Sequence, residues 1–412
     1  MAPRASSRIT HMSNILRLLN GPTTAVRHPV VLALALAITA AILGLLAACA
    51  TPPAPAPAPV PSGPATPGMG SVPMVNPTIV RARARWVPVE WSDLPGWEAD
   101  RSGELWPAFL RGCEKPAPGW AAVCTQARSE RATGFTDATT RAWLQQRLKP
   151  FRVEALDGTS DGLVTGYVEA TLRASRVERS EFRVPLYAPP ADLATRKPYW
   201  TRQQIDTLPA AKLALRGRAL AYVHDPLDAL YLQVQGSGRV RVAEADGSSQ
   251  WVRFAFAGSN DQPYKSVGGW LIGQGQMTAA QASWPAIKAW AKRNPKRIDE
   301  MLWSNPRYVF FREELLPDPK LGPKGAQGVA LTPGRSIAVD PMSIPYGTPV
   351  WLASTEPMTN TPLRRAVMAQ DTGSAITGAV RADYFWGWGE EAEAQAGRMK
   401  QALQMWVLWP KP

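Results

Sequence analysis

The chain has 412 residues, 45% of them hydrophobic, and a formal net charge of +13. This length predicts about two domains, and the hydrophobic share is that of a globular protein with substantial cores. A multi-histidine metal site is excluded because His224 is the only histidine beyond the N-terminal segment, and nucleic acid is disfavoured as a partner because Lys/Arg blocks and known nucleic-acid motifs are missing.

Residues 1–48 are predicted to be a lipoprotein signal peptide. Arginines precede an apolar run over residues 30–46, and a Leu-Ala-Ala tripeptide stands directly before Cys49. The tripeptide and the cysteine resemble a bacterial lipobox, which implies cleavage before Cys49 and acylation of its thiol. A plain signal peptide or a single membrane-spanning helix is the alternative, although the apolar run is short for a span. Ala50, where inner-membrane lipoproteins typically carry aspartate, favours the outer membrane.

Residues 49–77 are predicted to be a linker. Proline and alanine alternate over residues 52–59. Such a segment is extended and packs no core, so it would hold the rest of the chain away from a membrane.

Cys113 and Cys124 are the cysteines that remain beyond Cys49. In an exported chain they are expected to pair as a structural disulfide. A redox role is disfavoured because the chain has no Cys-x-x-Cys motif.

Helices are predicted where apolar residues recur at helical spacing next to capping residues. Two are expected before the β-rich part of the chain, at 102–111 and at 139–148, the second capped by Asp137. Two more are expected at 284–290, with Ser283 as N-cap, and at 295–303.

Short apolar runs bounded by glycine and proline predict strands through most of the remaining sequence. One of them, 228–238, is predicted as a strand with Tyr231, Gln233 and Gln235 on one face, paired across the 246–248 turn with 251–257. The other expected strands are 163–170, 183–187 (an edge strand), 308–311, 336–339, 349–352, 365–368 and 405–408. Their irregular spacing and glycine turns favour a closed barrel over a parallel α/β sheet.

Three aspartates near the C-terminus are the candidates for chemistry. Asp371 opens an Asp-Thr-Gly-Ser turn after a predicted strand, with Asp340 before it and Asp383 after it. A carboxyl that acts as a general acid must be desolvated or lie near negative charge, and this setting suits Asp371. The alternatives are three turn aspartates that satisfy backbone N–H groups, or an aspartic peptidase. A peptidase would need a dimer, because the chain has no second Asp-Thr-Gly.

Gln233 and Gln235 offer side-chain amides before a Gly-Ser-Gly turn. Amides both donate and accept hydrogen bonds, which suits sugar hydroxyl and N-acetyl groups. The alternative is an ordinary polar strand face. A Ser-His-Asp triad would have to use His224, which lies in an apparent turn, and is disfavoured.

Several motifs in a fixed order, spread from about Trp86 to the C-terminus, resemble the membrane-bound lytic murein transglycosylase A family, whose last segment is called the 3D domain. The residues that carry the resemblance are Val164–Glu169, Gln233–Gly238, Ala257–Asn260, Tyr264, Ser266–Gly268, Asn305–Phe311, and the motifs of Asp340, Asp371 and Asp383. The chain departs from the family pattern at Val168 and Ala170, where an aromatic residue and a proline are usual, and at Ser374 and Thr377.

The resemblance implies a mainly β protein with a few short helices. It implies a double-psi β-barrel made of residues 78–171 and 304–412, with the 3D region at about 328–412. A smaller β-domain at 172–303 would be inserted in it, and a glycan strand would bind in the groove between the two.

The resemblance also implies the reaction. Asp371 would protonate the oxygen between N-acetylmuramic acid and N-acetylglucosamine and then take the proton of the muramic C6 hydroxyl, which attacks C1 to give a 1,6-anhydro sugar. Asp340 and Asp383 would support the site. The residues expected to bind substrate are Thr165, Gly166, Tyr167, Glu169, Gln233, Gln235, Ser237, Gly238, Tyr264 and Gly373.

Neither a metal nor another cofactor is expected. The predicted partners are peptidoglycan strands, a membrane reached through the lipid at Cys49, and cell-wall enzyme complexes, with the chain itself a monomer on the periplasmic side of the outer membrane. The transglycosylase interpretation has two alternatives: a peptidoglycan-binding lipoprotein without catalysis, on the same barrel, and the dimeric aspartic peptidase.

Overall fold

A computed structural model describes residues 77–130, 136–316 and 318–411. The predicted signal peptide, Cys49 and the linker up to residue 76 lie outside the described residues. In the described ranges no helix is both long and apolar enough to cross a membrane.

The strands in the described residues form two sheets, and the first contains the barrel. Its strands are β1 (Ile79–Val80), β2 (Arg85–Pro88), β3 (Leu148–Glu154), β4 (Gly162–Tyr167), β11 (Ser336–Val339), β12 (Thr348–Thr355), β13 (Pro362–Asp371), β14 (Arg381–Phe385) and β15 (Lys400–Pro410). The order β15-β12-β13-β11-β14-β4 closes on itself because β4 also pairs with β15. This ring confirms the predicted mainly β, barrel-like fold with its few short helices. Strands β3, β2 and β1 extend the sheet from β15.

The strands of the second sheet are β5 (Ala170–Ser175), β6 (Val184–Tyr187), β7 (Ala219–Val223), β8 (Ser237–Ala243), β9 (Ser249–Ser259) and β10 (Val309–Leu315). Their order in the sheet is β10-β9-β8-β5-β7-β6. Strand β6 lies at an edge, as predicted. Strand β10, which the sequence placed with the barrel, pairs with β9 in this second sheet, so the sheet extends on both sides of the predicted insert at 172–303.

The α-helices are short and lie around the sheets. They are α1 (Trp106–Gly112), α2 (Ala121–Ser129), α3 (Asp137–Arg147), α4 (Arg202–Thr207), α5 (Pro209–Ala214), α6 (Pro226–Gln235), α7 (Val267–Gly273), α8 (Trp284–Arg293), α9 (Ile298–Trp303) and α10 (Glu390–Ala396). The predicted caps were right at Ser283 but wrong at Asp137, because Thr136 caps α3 through the Thr139 N–H and Asp137 is already helical.

The prediction of a strand over 228–238 was wrong, because residues 228–235 of this segment lie in helix α6. The Leu227 N–H donates to the Asp225 carboxylate, and Pro226 takes the first helical position. Gly236, at a φ of 79°, ends the helix in the left-handed conformation that glycine favours. Strand β8 therefore starts at Ser237 and is the partner of β9 across the predicted turn.

One side of the barrel wall is covered by an aromatic cluster. Trp106, Phe109, Trp120 and Trp143 are buried there with Trp351 of β12. Within this cluster the Cys113–Cys124 disulfide joins the end of α1 to α2. Most of the buried tryptophans are therefore structural.

The two sheets are joined at Glu169, which lies between β4 and β5 and is fully buried. Its carboxylate accepts hydrogen bonds from Arg239 and Arg253 of the second sheet. Both guanidinium groups also donate to the Leu321 carbonyl. This buried cluster ties the second sheet to the segment that leads back into the barrel. A paired charge with this many hydrogen bonds is tolerated inside a protein, whereas an unpaired one is not.

We expect Glu169→Gln to lower the free energy of unfolding by about 3–5 kcal/mol, because it leaves two buried guanidinium groups without their counter-ion. Urea titration followed by tryptophan fluorescence measures the change. Glu98→Gln is the control: Glu98 is 79% exposed beside Arg141, and its loss should change little. Equal stabilities of the two variants would contradict this role for Glu169.

Candidate active site

Asp371 is the last residue of β13, at the point where the strand leaves the barrel. Its backbone is level with Ala338 of the parallel strand β11, next to an irregularity in the register of that pair. The Thr372 hydroxyl donates to the Val339 carbonyl at 2.8 Å. The turn after Asp371 is thus tied to β11, and the carboxyl projects from a fixed position.

The Asp371 carboxyl is held by uncharged donors. The Ala326 N–H donates to Oδ1 at 2.9 Å, and the Tyr167 hydroxyl donates to Oδ2 at 2.9 Å. Gly325 allows this close approach, because a Cβ there would lie 2.5 Å from the Gln370 carbonyl oxygen. Asp371 itself remains partly exposed, so a substrate can reach it.

Gln327 holds the backbone that donates to Asp371. Its Nε2 donates to the carbonyl oxygens of Gly112, at 2.9 Å, and Lys115, at 3.0 Å. Its backbone N–H donates to the Gln370 carbonyl. Because the Cys113 disulfide fixes the segment from Gly112 to Lys115, the position of Ala326 depends on contacts far from it in sequence.

Burial raises the pKa of Asp371 above its ordinary value, and the hydrogen bonds from Thr372, Ala326 and Tyr167 oppose that effect. The protonated form is therefore present at higher pH than for an exposed aspartate. A carboxyl with a pKa raised in this way is suited to give a proton and take it back.

Asp383 lies on β14, level with Thr165 of β4. The Thr165 hydroxyl donates to Asp383 Oδ1 at 2.6 Å and accepts from Arg381 Nη2 at 2.9 Å. Burial raises the pKa of Asp383 to about 6, with the nearby charge of Asp371 adding to the rise. The two aspartates are thus electrostatically coupled.

Asp340 has a different role in this structure. It is buried, and its carboxylate accepts from the N–H groups of Gly378 and Met342 and from Arg83. Gly378 lies in the loop that connects Asp371 to β14. Asp340 therefore braces that loop and shares no hydrogen bond with Asp371 among the contacts of the described residues.

Two adjoining cavities of about 200 and about 620 Å³ form a groove between the barrel and the second sheet. Asp383 lines the smaller cavity and Asp371 the larger one. Gly373 and Ser374 border both, as do Gln233 and Arg307 from the other side. The groove therefore runs past both carboxyls.

The structure brings most of the predicted substrate-binding residues to this groove. Those that line it are Thr165, Tyr167, Gln233, Gln235, Ser237, Tyr264 and Gly373. Gln233 and Gln235 do so from the end of helix α6 rather than from a strand face.

Three predicted substrate-binding residues do not line the cavities. Glu169 is engaged in the buried cluster with Arg239 and Arg253. Gly166 backs onto α10, since a Cβ there would lie 2.8 Å from the Ala396 Cα. Gly238 packs against α6, where a Cβ would lie 2.4 Å from Leu232. These residues shape the walls from behind.

The side chains of α6 and β8 leave polar groups for a ligand. Gln233 accepts from Arg202 at 2.6 Å and also hydrogen-bonds the Tyr308 side chain, so both ends of its amide are engaged. Gln235 Oε1 accepts from the Val168 N–H at 3.0 Å, which leaves the donor end of the Gln235 amide for other partners. The Ser237 hydroxyl is buried and has no hydrogen-bond partner within the described residues. Such a group, next to a cavity, indicates a ligand-facing position.

Sequence reasoning missed the basic residues of the groove. Arg202, Arg307 and Arg381 line the smaller cavity, and Lys115 and Lys324 line the larger one. Arg307 lies in the Asn-Pro-Arg motif and could have been found there, whereas the others follow no pattern in the chain. In the described ranges no group of three His, Cys, Asp or Glu residues could hold a metal ion.

Comparison with known proteins identifies the chain's relatives. Residues 163–312 match the family model "MltA specific insert domain", and residues 335–409 match the "3D domain". The membrane-bound lytic murein transglycosylase A of Escherichia coli K12 is 30% identical over 283 residues, which are 66% of this chain and 72% of the relative. The chain spans about two thirds of the curated relatives it matches.

Solved structures of lytic transglycosylases are also similar to this chain. The lytic transglycosylase LtgG of Burkholderia pseudomallei is 46% identical, with a TM-score of 0.55, and the match covers 79% of this chain and 96% of that one. MltA from Neisseria gonorrhoeae is 32% identical, with a TM-score of 0.67, and the match covers 81% and 94% of the two chains.

We expect Asp383→Asn to change how stability depends on pH. Because burial raises the pKa of Asp383 from 3.8 to about 6, the folded protein binds this proton more tightly than the unfolded chain. The free energy of unfolding of the native protein should therefore fall by about 2–3 kcal/mol, relative to that of the variant, as pH rises from about 4 to about 8. Urea unfolding at a series of pH values measures the difference.

Asp246→Asn is the matched control. Hydrogen bonds from Ser248 lower the pKa of Asp246, so the sign of its pH dependence is reversed. A native protein that gains stability over Asp383→Asn with rising pH would contradict the assignment.

Proposed function

The chain belongs to the membrane-bound lytic murein transglycosylase A family, and from this premise we propose that it is a peptidoglycan lytic transglycosylase with Asp371 as its single acid/base. It cleaves the β-1,4 bond between N-acetylmuramic acid and N-acetylglucosamine and leaves a 1,6-anhydro-muramic end. The observation that carries the assignment is a partly exposed carboxyl with a raised pKa on the wall of a groove between two sheets.

In the first half of the reaction, protonated Asp371 gives its proton to the glycosidic oxygen. The bond from muramic C1 to that oxygen breaks, and the N-acetylglucosamine side leaves as an alcohol. Asp371 is then an anion, stabilised by hydrogen bonds from Ala326 and Tyr167.

In the second half, the muramic C6 oxygen attacks C1 and its proton passes to Asp371. The carboxyl returns to its starting state, and no water is consumed. One carboxyl is sufficient because the nucleophile belongs to the substrate and is held close to C1 by the sugar itself. Asp383 supports the site from a position where the charge of Asp371 raises its pKa, and Asp340 keeps the loop in place.

The residues that line the groove indicate how it binds the glycan. Gln235 presents an amide donor and Ser237 a hydroxyl to sugar hydroxyl and N-acetyl groups, beside Gln233. Tyr264 and Thr165 lie beside Asp383 in the smaller cavity. A glycan strand would pass through both cavities, with the cleaved bond at Asp371.

We also propose that the protein is a lipoprotein, anchored through Cys49 to the outer membrane and facing the periplasm. The Escherichia coli relative named above is described as membrane-bound, and the sequence offers the lipobox and a linker at 49–77. We also propose that the inserted domain begins near residue 172 and ends near residue 303. Strand β10 follows it in sequence but belongs to the same sheet, because it pairs with β9.

We expect Asp371→Asn to lower the rate of glycan cleavage by about 10²–10⁴-fold or more, because the amide can neither give nor take the proton. Digestion of purified sacculi, with anhydro-muropeptides quantified by mass spectrometry, measures the rate. Asp246→Asn, an exposed turn aspartate, is the control and should cleave at the native rate. Full activity in Asp371→Asn would overturn the proposal.

The same digest separates the rival functions. A native protein that binds sacculi and releases no sugar would be a binding protein without catalysis. Peptide cleavage blocked by pepstatin would indicate an aspartic peptidase. Anhydro-muropeptides from the native protein argue against both.

Tyr167→Phe should move the alkaline limb of the kcat/KM profile to higher pH. The lost hydrogen bond stabilises the Asp371 carboxylate, so its removal raises the pKa of Asp371 further. Because cleavage starts from the protonated acid, activity then persists to higher pH. Tyr222→Phe in β7 is the control. A limb that stays in place or moves to lower pH would refute the contact's role.

A further inference from the structure

The larger cavity has a positively charged wall beside Asp371. Lys115 and Lys324 line it from the barrel side. Asp371 is the only acidic residue among the described residues that line this cavity. The mechanism proposed above uses neither lysine.

The two ammonium groups are available to a ligand. Within residues 77–130, 136–316 and 318–411, neither takes part in an ion pair, and both residues are exposed. The neighbouring cation Arg312 differs, because its guanidinium pairs with Glu314 at 2.7 Å and also donates to the Phe256 carbonyl. Arg307 also borders the cavity, from the opposite side, where it donates to the Gln262 carbonyl. Lys115 and Lys324 are therefore the uncompensated charges of the barrel-side wall.

Both lysines are carried by backbone that is fixed next to the reaction centre. Lys115 follows the disulfide at Cys113, and its carbonyl accepts from Gln327. Its Nζ lies over Gly328, where a Cβ would come within 2.3 Å of it. Lys324 precedes Gly325, whose own Cβ position lies 3.2 Å from the Asp371 Cβ. The positive charge is thus held at the cleavage point rather than spread over a surface.

The glycan backbone offers no charge to such a wall, since its hydroxyl, ether and N-acetyl groups are neutral. The peptide linked to the lactyl group of muramic acid carries free carboxylates. It leaves the strand from the muramic residue, the residue whose C1 reacts. Its carboxylates are therefore the anions that reach a wall beside Asp371.

We propose that Lys115 and Lys324 bind the carboxylates of the peptide on the reacting muramic residue, an inference that rests on the proposed lytic transglycosylase activity. The contacts select peptide-bearing strands over bare ones. They act mainly on binding, so their loss raises KM more than it lowers kcat.

The test uses the double variant Lys115→Gln/Lys324→Gln on two substrates: glycan strands with their peptides, and the same strands after an amidase has removed the peptides. On peptide-bearing strands kcat/KM should fall about two- to thirtyfold, the range expected for two exposed charge pairs. On stripped strands it should change less than about twofold.

The double variant Lys292→Gln/Lys296→Gln is the control, because it removes the same charge from exposed positions outside both cavities. It should leave both substrates unaffected. An equal loss on both substrates in the groove variant would overturn the proposal in favour of the lactyl carboxylate, which amidase leaves free, or of general attraction to the strand. No loss on peptide-bearing strands would overturn it as well.

The outcome is distinct from failure of the proposed function. If the chain were not a lytic transglycosylase, the native protein would release no anhydro sugar from either substrate. If only the peptide contact were absent, the native protein and the groove variant would cleave both substrates alike.

Discussion

The site depends on a carboxyl that is only partly exposed to water and is held by uncharged donors. Asp371 receives hydrogen bonds from Ala326 and Tyr167, and it forms no ion pair within the described residues. An arginine in either place would keep it ionised, and full solvent exposure would return its pKa to the ordinary range. Two fully buried acids near it meet guanidinium groups instead: Asp340 pairs with Arg83, and Glu169 with Arg239 and Arg253. Surroundings, not residue type, separate the acid that reacts from those that support the fold.

The rest of the structure serves to hold those uncharged donors in place. Closure of the ring through β4 and β15 brings Tyr167 to the end of β13. The Gln327 side chain donates to the segment at the end of α1, which the disulfide fixes. This contact holds the neighbouring Ala326 N–H in position to donate to Asp371. The buried cluster at Glu169 keeps the second sheet against the barrel and so maintains the width of the groove. A change in any of these contacts would act on catalysis through position rather than through chemistry.

Sequence patterns revealed the parts that local rules govern. Strand periodicity and glycine turns predicted the barrel, and Asp371, Asp383 and Tyr167 were found through their motifs and do meet at the groove. Helix α6 was missed although Asp225, Pro226 and Gly236 mark its two ends, because an apolar run of this length fits a strand equally well. Glu169 stands beside Tyr167 in the same motif yet points into a buried ion cluster, since the chain crosses there from one sheet to the other.

Other features of the site cannot be recognised from the local amino-acid sequence. Ala326 acts through its backbone N–H, which any residue but proline would supply, so its side chain says nothing about its role. Lys115 and Lys324 come together only because the disulfide-bonded turn and the 324–328 segment pack side by side. The charge of the groove is a property of packing and could not be deduced from the order of residues.

The most direct test of this single-carboxyl mechanism is cleavage of sacculi in heavy-oxygen water, with the products examined by mass spectrometry. If Asp371 works alone and the muramic C6 oxygen is the nucleophile, the new muramic ends carry no label and lack the mass of one water. Ends that are full reducing sugars labelled with heavy oxygen would mean that water attacks C1, and a single carboxyl with an internal nucleophile would then be the wrong description of this site.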